Sequence, residues 1–179
     1  MANARYETAT NVGSLGNGSS PVVGWEDFPA GRAVVTKSLR VQARHLDEWV
    51  KLTGDSYPLH TDDGLARAAG YRGRIAHGPL TFALAVGLVS ATGVFGDAIL
   101  AWLGTSSLKA CQPVVPGDAI AVTATVKSSR SSRKAGRGIV ELEYVVTNDG
   151  HQRVMAFTFA LLMRSREINS MTVKEHWGV

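Results

Sequence analysis

An aspartate and a histidine five residues apart, Asp55 and His60, form the candidate reactive pair of this 179-residue chain. A carboxylate and an imidazole can act as a base and an acid on one water molecule, provided that the two side chains converge. Five extended residues span roughly 16 Å, so the chain between them must bend. Gly54 and Pro58 favour that bend, because glycine permits a tight turn and proline keeps Tyr57 out of the helical region. Spacing alone leaves a second interpretation open, in which the aspartate caps a turn and the histidine is structural.

Hydrophobic periodicity predicts the elements that must position this pair. Apolar residues alternate over 34–41, which is the pattern of a strand. A short amphipathic helix around 46–50 follows, and a second short helix begins at a Thr61 cap and turns Leu65 towards the core. The segment after Gly78 is apolar on every side, which predicts a helix surrounded by protein.

The last third of the chain predicts four further strands, at 100–108, 120–126, 140–146 and 155–163. Strands joined by short turns pair antiparallel, and a wholly buried helix needs a sheet that curls around it. The sequence therefore predicts an α+β fold in which an antiparallel β-sheet wraps around a central α-helix. We expect one domain over residues 25–164, with a flexible N-terminal tail at 1–24 and a C-terminal tail at 165–179.

The positive charge of the chain is concentrated in one segment. Lys and Arg number 19 against 15 Asp and Glu, a net charge of +4, and the run 127–137 holds five basic residues and no acid. The rest of the chain is nearly neutral, which argues against a broad nucleic-acid surface. The run lies between two predicted strands, and its simplest interpretation is a solvated hairpin loop.

The single cysteine, Cys111, excludes a disulfide within the chain and favours a reducing, cytoplasmic setting. We expect its thiol to be a small core group. His60 and Asp62 lack a third ligand at a standard spacing, so no metal is expected. Residues 79–96 carry no charge, yet Pro79 and the internal hydroxyl residues favour a buried core helix over a membrane span. We expect no secretion signal in the first residues.

Two motifs carry a resemblance to a known family. Residues 54–60 read Gly-Asp-Ser-Tyr-Pro-Leu-His, and residues 75–78 read Ile-Ala-His-Gly. This two-part pattern resembles the signature of the MaoC-like dehydratases, the (R)-specific enoyl-CoA hydratases of the hotdog fold. Further similarity lies at 25–31 and 113–118, so the resemblance extends over roughly residues 25–163.

The resemblance implies a reaction and a role for three residues. In the family, an aspartate and a histidine activate one water, which adds across the 2,3 double bond of an enoyl-CoA thioester. Asp55 would be the principal base, His60 its partner, and the backbone N–H of Gly78 the donor to the thioester oxygen. An ordinary Asp pKa of about 3.9 makes a poor base, so the site must desolvate the carboxylate. Tyr57 stands where the family usually has asparagine, which bears on acyl specificity and on the geometry of the pair.

The same resemblance implies substrate contacts at Tyr57, Pro58, Ala76, His77 and Leu80. His77 also has a structural interpretation as a cap of the buried helix. Within the basic run, the alternative to a solvated loop is a contact with the phosphates of coenzyme A through Arg130, Arg133 and Arg137. The CoA thioester is the substrate, so no further cofactor is expected. The hotdog layout implies a homodimer or a dimer of dimers, with no nucleic-acid or membrane partner.

Two other functions stay open on the same residues. An acyl-CoA thioesterase is compatible with the hotdog fold and would release a free thiol, although the two-part motif disfavours it. A non-catalytic acyl-CoA-binding protein would result if Tyr57 has disabled the pair.

Overall fold

A computed structural model describes residues 22–166, as six strands, four α-helices and one turn of 3-10 helix. In chain order these are the 3-10 turn Trp25–Asp27, β1 Ala33–Val35, β2 Leu39–Arg40, α1 Ala43–Thr53, α2 Pro58–Thr61, α3 Asp63–Ala68, α4 Gly78–Ser90, β3 Ile99–Ala110, β4 Ala119–Ser131, β5 Arg137–Asn148 and β6 Arg153–Arg164.

The strands form one antiparallel sheet in the order β1-β4-β5-β6-β3, and β2 also pairs with β4. Three of the four long strands, β4, β5 and β6, alternate buried and less buried residues, because successive side chains point to opposite faces of a strand. Their buried side chains pack against one face of α4. The predicted hotdog arrangement, a sheet wrapped around one central helix, is confirmed.

Aromatic packing on β5 and β6 forms the centre of the core. Tyr144 stacks on Phe157 with ring centroids 4.8 Å apart, and Phe82 of α4 lies 4.8 Å from Phe157. Burial raises the pKa of the Tyr144 hydroxyl, since the charged form would lose its hydration. The ring therefore stays neutral across the physiological pH range and behaves as a core residue.

The sheet of one chain covers only part of α4. Leu80, Thr81, Ala85 and Val89 are buried, whereas Ala83 is exposed. The prediction of a helix surrounded by protein is therefore wrong for a single chain, because one sheet shields one side of a helix. Within residues 22–166, no helix is both long and apolar enough to cross a bilayer.

Two local predictions are corrected by hydrogen bonding. The strand predicted over 34–41 is interrupted after β1, where the Thr36 hydroxyl accepts a bond from the Val122 N–H at 2.9 Å. Asp62 caps α3 in place of Thr61, since its Oδ1 accepts from the Leu65 N–H at 2.9 Å. This cap rotates the helix so that Leu65 is 53% exposed and Ala66 is buried instead.

The 3-10 turn at the start of the domain packs on the far end of the sheet. Trp25 lies over Gly138 of β5, and the Ser129 hydroxyl donates to the Trp25 carbonyl at 3.1 Å. Ser165, beyond β6, donates to Glu26. The predicted tails fall largely outside the described residues.

Gly138→Ala tests this packing. A Cβ at this position would overlap the Trp25 ring at its attachment to the backbone, where it cannot swing aside cheaply. We expect a loss of about 1–3 kcal/mol in the free energy of unfolding, measured by urea denaturation. Ser131→Ala, at an exposed position of β4, is the control and should change stability by less than about 0.5 kcal/mol. Equal stabilities of the two variants would contradict this account of the packing.

Candidate active site

The predicted bend between the two reactive residues is present. Gly54 ends α1 in a left-handed conformation with φ of 76°, and Pro58 begins α2. Between them, the Asp55 carboxylate accepts a long hydrogen bond of 3.4 Å from the Tyr57 N–H. Because α1 stops at glycine and α2 starts at proline, Asp55 and His60 are turned towards the same side of the chain.

A third residue, His77, joins this pair. The His60 and His77 rings stack with centroids 3.7 Å apart. One oxygen of Asp55 and one nitrogen of each histidine lie within 4.8 Å of one another. The structure therefore brings Asp55 and His60 together and adds a histidine from the second motif.

A backbone carbonyl orients the ring of His60. The Nδ1 atom lies 2.8 Å from the Ile75 oxygen, which can only accept, so this nitrogen carries the proton and donates it. In the neutral ring the Nε2 atom is then left with a free lone pair. The Ile75 N–H bonds back to the Leu59 carbonyl at 2.9 Å, so the two motifs are joined in both directions.

His77 holds the aspartate loop. Its side chain is 1% exposed, and its Nε2 atom lies 3.0 Å from the Asp55 carbonyl oxygen and 3.9 Å from the carboxylate oxygen Oδ2. The predicted cap of α4 is not made by this side chain, although His77 occupies the N-cap position. Its ring instead ties the start of α4 to the turn that carries Asp55.

The surroundings of Asp55 differ from the sequence expectation. Its side chain is 52% exposed, so the described residues of one chain do not desolvate it. Tyr57, with 61% exposure, lies to one side with its ring 6.2 Å from that of His60.

A cavity of about 290 Å³, here called the reaction cavity, opens beside the histidine pair. His60, Ala76 and Gly78 line it, together with Thr81 of α4 and Met155 of β6. A Cβ on Gly78 would meet no atom within 4 Å, so the space in front of this residue is open. The reaction cavity therefore presents the imidazole and the first N–H of α4 to one volume.

Three other predicted contacts lie elsewhere or lack a shown role. Leu80 is 5% exposed and belongs to the hydrophobic core, while Pro58 and Tyr57 lie on the surface of the turn. Cys111 is exposed and lines the reaction cavity, so its assignment to the core is wrong. Its position follows from the end of β3, where the chain leaves the sheet and the Cys111 N–H bonds to the Val154 carbonyl at 2.9 Å.

The basic run lies at the opposite end of the sheet. Arg130 is in β4, Arg133 is in the loop and Arg137 begins β5, so the run is only partly a loop. Arg137 pairs across the sheet with Arg164, nine residues along β6 from Met155 of the reaction cavity. At about 3.3 Å per residue this is roughly 30 Å. The structure does not bring these arginines to the reaction cavity of their own chain.

A metal would have to compete with existing hydrogen bonds in this cluster. The sequence search for a third ligand considered only standard spacings and missed His77, 17 residues after His60. The Nε2 atom of His77 is engaged with the Asp55 carbonyl, whereas its buried Nδ1 atom has no hydrogen-bond partner among the described residues. The arrangement is better suited to holding a water and moving its protons.

Comparison with known proteins agrees with the two-part motif. A family model described as a MaoC like domain matches residues 27–148. A UPF0336 protein of Streptomyces avermitilis is 29% identical over 138 residues, which are 74% of this chain and 89% of that protein.

Solved structures share the fold. The MaoC-like dehydratase from Rhodospirillum rubrum has a TM-score of 0.72 at 26% identity, over 80% of this chain and 97% of that one. The (R)-hydratase from A. caviae involved in PHA biosynthesis has a TM-score of 0.63 at 23% identity, over 76% and 97%. The family model covers more than half of the chain and includes both motifs, and the chain therefore belongs to the family of MaoC-like domains.

Proposed function

We propose that this protein is a hydratase or dehydratase that adds water reversibly across the 2,3 double bond of an enoyl-CoA thioester. The single observation that carries the proposal is the convergence of Asp55 on His60, whose ring lines the reaction cavity. Two hydrogen bonds of about 2.8 Å that meet at a tetrahedral water join atoms roughly 4.6 Å apart. The spacing of the carboxylate and the imidazole, within 4.8 Å, suits one bridging water.

The hydrogen bonding of His60 supports separate roles for the two residues in this proposal. Its Nε2 lone pair accepts one hydrogen of the water, while the Asp55 carboxylate accepts the other. As the water oxygen bonds to C3, Asp55 takes the released proton and the C2–C3 π electrons move onto the thioester oxygen. The carboxylic acid so formed then returns the proton to C2, which leaves the enzyme unchanged and adds one water to the substrate.

The start of α4 stabilises the charge that develops on the thioester oxygen. The first N–H groups of a helix have no partner within the helix, and the helix dipole is positive at this end. Pro79 has no N–H, so Gly78 supplies the donor next to the reaction cavity. A backbone donor fixed in this way needs no rearrangement when the charge appears.

The active protein is a homodimer in this proposal. β3 is an edge strand of twelve residues, and five of its large apolar side chains are exposed: Ile99, Leu100, Trp102, Leu103 and Leu108. Such an edge readily pairs with another strand, and a two-fold axis lets the same edge pair with itself. A second copy would also cover the open side of α4.

A cytoplasmic setting and the lack of a further cofactor remain predictions.

Asp55→Asn and His60→Gln test the reaction. With a short 2-enoyl-CoA, we expect the wild type to consume the conjugated thioester without releasing thiol, and each variant to lose about 10²–10⁴-fold in kcat. Absorbance of the conjugated thioester measures turnover. Asp149→Asn and His151→Gln, the same changes at exposed residues of the β5–β6 turn, should keep wild-type rates.

Two results would contradict the proposed reaction. Thiol release from saturated acyl-CoA would indicate a thioesterase. Binding of acyl-CoA without turnover, unaltered by Asp55→Asn, would indicate a binding protein.

Leu103→Glu tests the dimer. A buried carboxylate at the centre of the paired edge should weaken self-association at least tenfold, since the charge would lose its hydration. Sedimentation analysis should give twice the 19.1 kDa chain mass for the wild type. Val35→Glu, at an exposed apolar residue of the opposite edge strand β1, is the matched control. A monomeric wild type, or a Leu103→Glu variant that still dimerises like the control, would refute this interface.

A further inference from the structure

A second cavity of about 280 Å³ lies on the other side of the segment that leads into α4. Arg67, Arg72 and Arg74 line this cavity, here called the arginine cavity, together with Asp63. Gly73 and the turn at Val115 and Pro116 complete its wall. In the sequence, the three arginines fall within eight residues of chain between the two motifs, but their spacing alone does not show that they line one cavity.

Carboxylates behind the cavity hold its arginines in place. Arg72 Nη2 contacts both oxygens of Asp118 at 2.8 and 2.9 Å, and Arg74 Nη1 contacts Asp47 at 2.7 Å. Asp118 and Asp47 are not among the residues that line the cavity. Each arginine has five N–H donors, and the ion pairs use only part of them.

Asp63 is the one acid in the wall, and its charge is already engaged. Its Oδ1 accepts the Arg74 N–H at 2.9 Å and lies 3.9 Å from Arg67 Nη2. Arg67 itself is 64% exposed, and within residues 22–166 it makes only this long ion pair and a 3.4 Å bond to the Arg72 carbonyl. Its guanidinium is therefore available to a ligand.

The arginine cavity and the reaction cavity share a thin wall. Tyr71 and Ile75 line the reaction cavity, whereas Arg72 and Arg74, between them in sequence, line the arginine cavity. The segment before β4 is divided in the same way: Val114 lines the reaction cavity, and Val115 lines the arginine cavity. A flexible ligand seated in one cavity can therefore reach the other without crossing the sheet.

We infer that the arginine cavity binds the phosphate of a 4′-phosphopantetheine arm whose thioester lies in the reaction cavity. This rests on the proposed function for the thioester end. Planar guanidinium groups match phosphate oxygens through paired N–H donors, which suits the singly charged phosphate that links this arm to the rest of coenzyme A or to a carrier protein. Coenzyme A and an acyl carrier protein both present this arm, so the phosphate is the shared chemistry.

Binding of 4′-phosphopantetheine and of pantetheine, compared by calorimetry, tests the inference without turnover. We expect the wild type to bind the phosphorylated arm at least tenfold more tightly. Arg67→Gln and Arg72→Gln should each remove most of that preference. Lys37→Gln, which removes one exposed positive charge between β1 and β2, is the control and should keep it.

Asp63→Asn changes affinity in the opposite direction. Asparagine keeps an oxygen for the Arg74 N–H but removes the negative charge from the wall, so phosphopantetheine should bind several-fold more tightly than to the wild type. Arg72→Gln leaves Asp118 without its ion pair, so a loss of affinity in that variant could reflect a damaged fold. A gain of affinity in Asp63→Asn cannot have that cause. Equal affinity for the two arms in the wild type, or unchanged preference in all three variants, would overturn the inference.

Turnover of a 2-enoyl-CoA and of the same acyl group on a carrier protein distinguishes the two sources of the arm. Arg67→Gln should lower kcat/KM at least fivefold for whichever thioester the wild type prefers, and an unchanged value for both would overturn the inference.

Reversal of Arg130, Arg133 and Arg137 to Glu tests whether the basic run at 127–137 binds the phosphate instead. Loss of the phosphate preference through that reversal, with the arginine-cavity variants unaffected, would also overturn it. Phosphate-dependent binding without hydration would remove the proposed reaction alone.

Discussion

The hydrogen bond from His60 Nδ1 to the Ile75 carbonyl is the interaction on which the site depends. Fifteen residues separate the two partners, and the bond closes the loop that contains α2 and α3. It fixes the tautomer of His60 and, with the Ile75 N–H bond to Leu59, holds the two motifs edge to edge. His77, just before α4, adds a bond from its Nε2 atom to the Asp55 carbonyl. Acid–base geometry in this protein is thus set by backbone carbonyls, which cannot change protonation state.

The sheet of one chain encloses the central helix and the reactive residues on one side only. A single curved layer of strands can cover one side of α4, and the same geometry leaves Asp55 half exposed and the β3 edge unpaired. The exposure of Asp55 and the unpaired β3 edge have the same physical cause, because one sheet cannot close around both a helix and the loop that carries Asp55. Pairing along β3 would cover the helix, and a bound acyl chain would displace water from the carboxylate.

The sequence predicts the elements well wherever the pattern is local. Alternation in β4, β5 and β6 and the Gly54–Pro58 bend depend on neighbouring residues, and the structure has them where the pattern places them. The resemblance contributed the pairing of the two motifs, which spacing alone left open. The exposure of Cys111 and the arginine cavity could not be predicted, because each depends on where the chain crosses itself.

Each of the five consecutive residues 74–78 has a different structural role. Arg74 lies in one cavity, Ile75 orients His60, Ala76 bonds to the Val114 carbonyl at 2.7 Å, His77 holds Asp55 and Gly78 begins α4. A one-residue insertion or deletion within this stretch would move every later group to its neighbour's place and break all of the contacts together. The length of this stretch is therefore restricted. The β4–β5 hairpin lies far from the site, and its length is restricted by other contacts, the bond of the Ser165 N–H to the Gly136 carbonyl at 2.8 Å and the packing of Trp25 on Gly138.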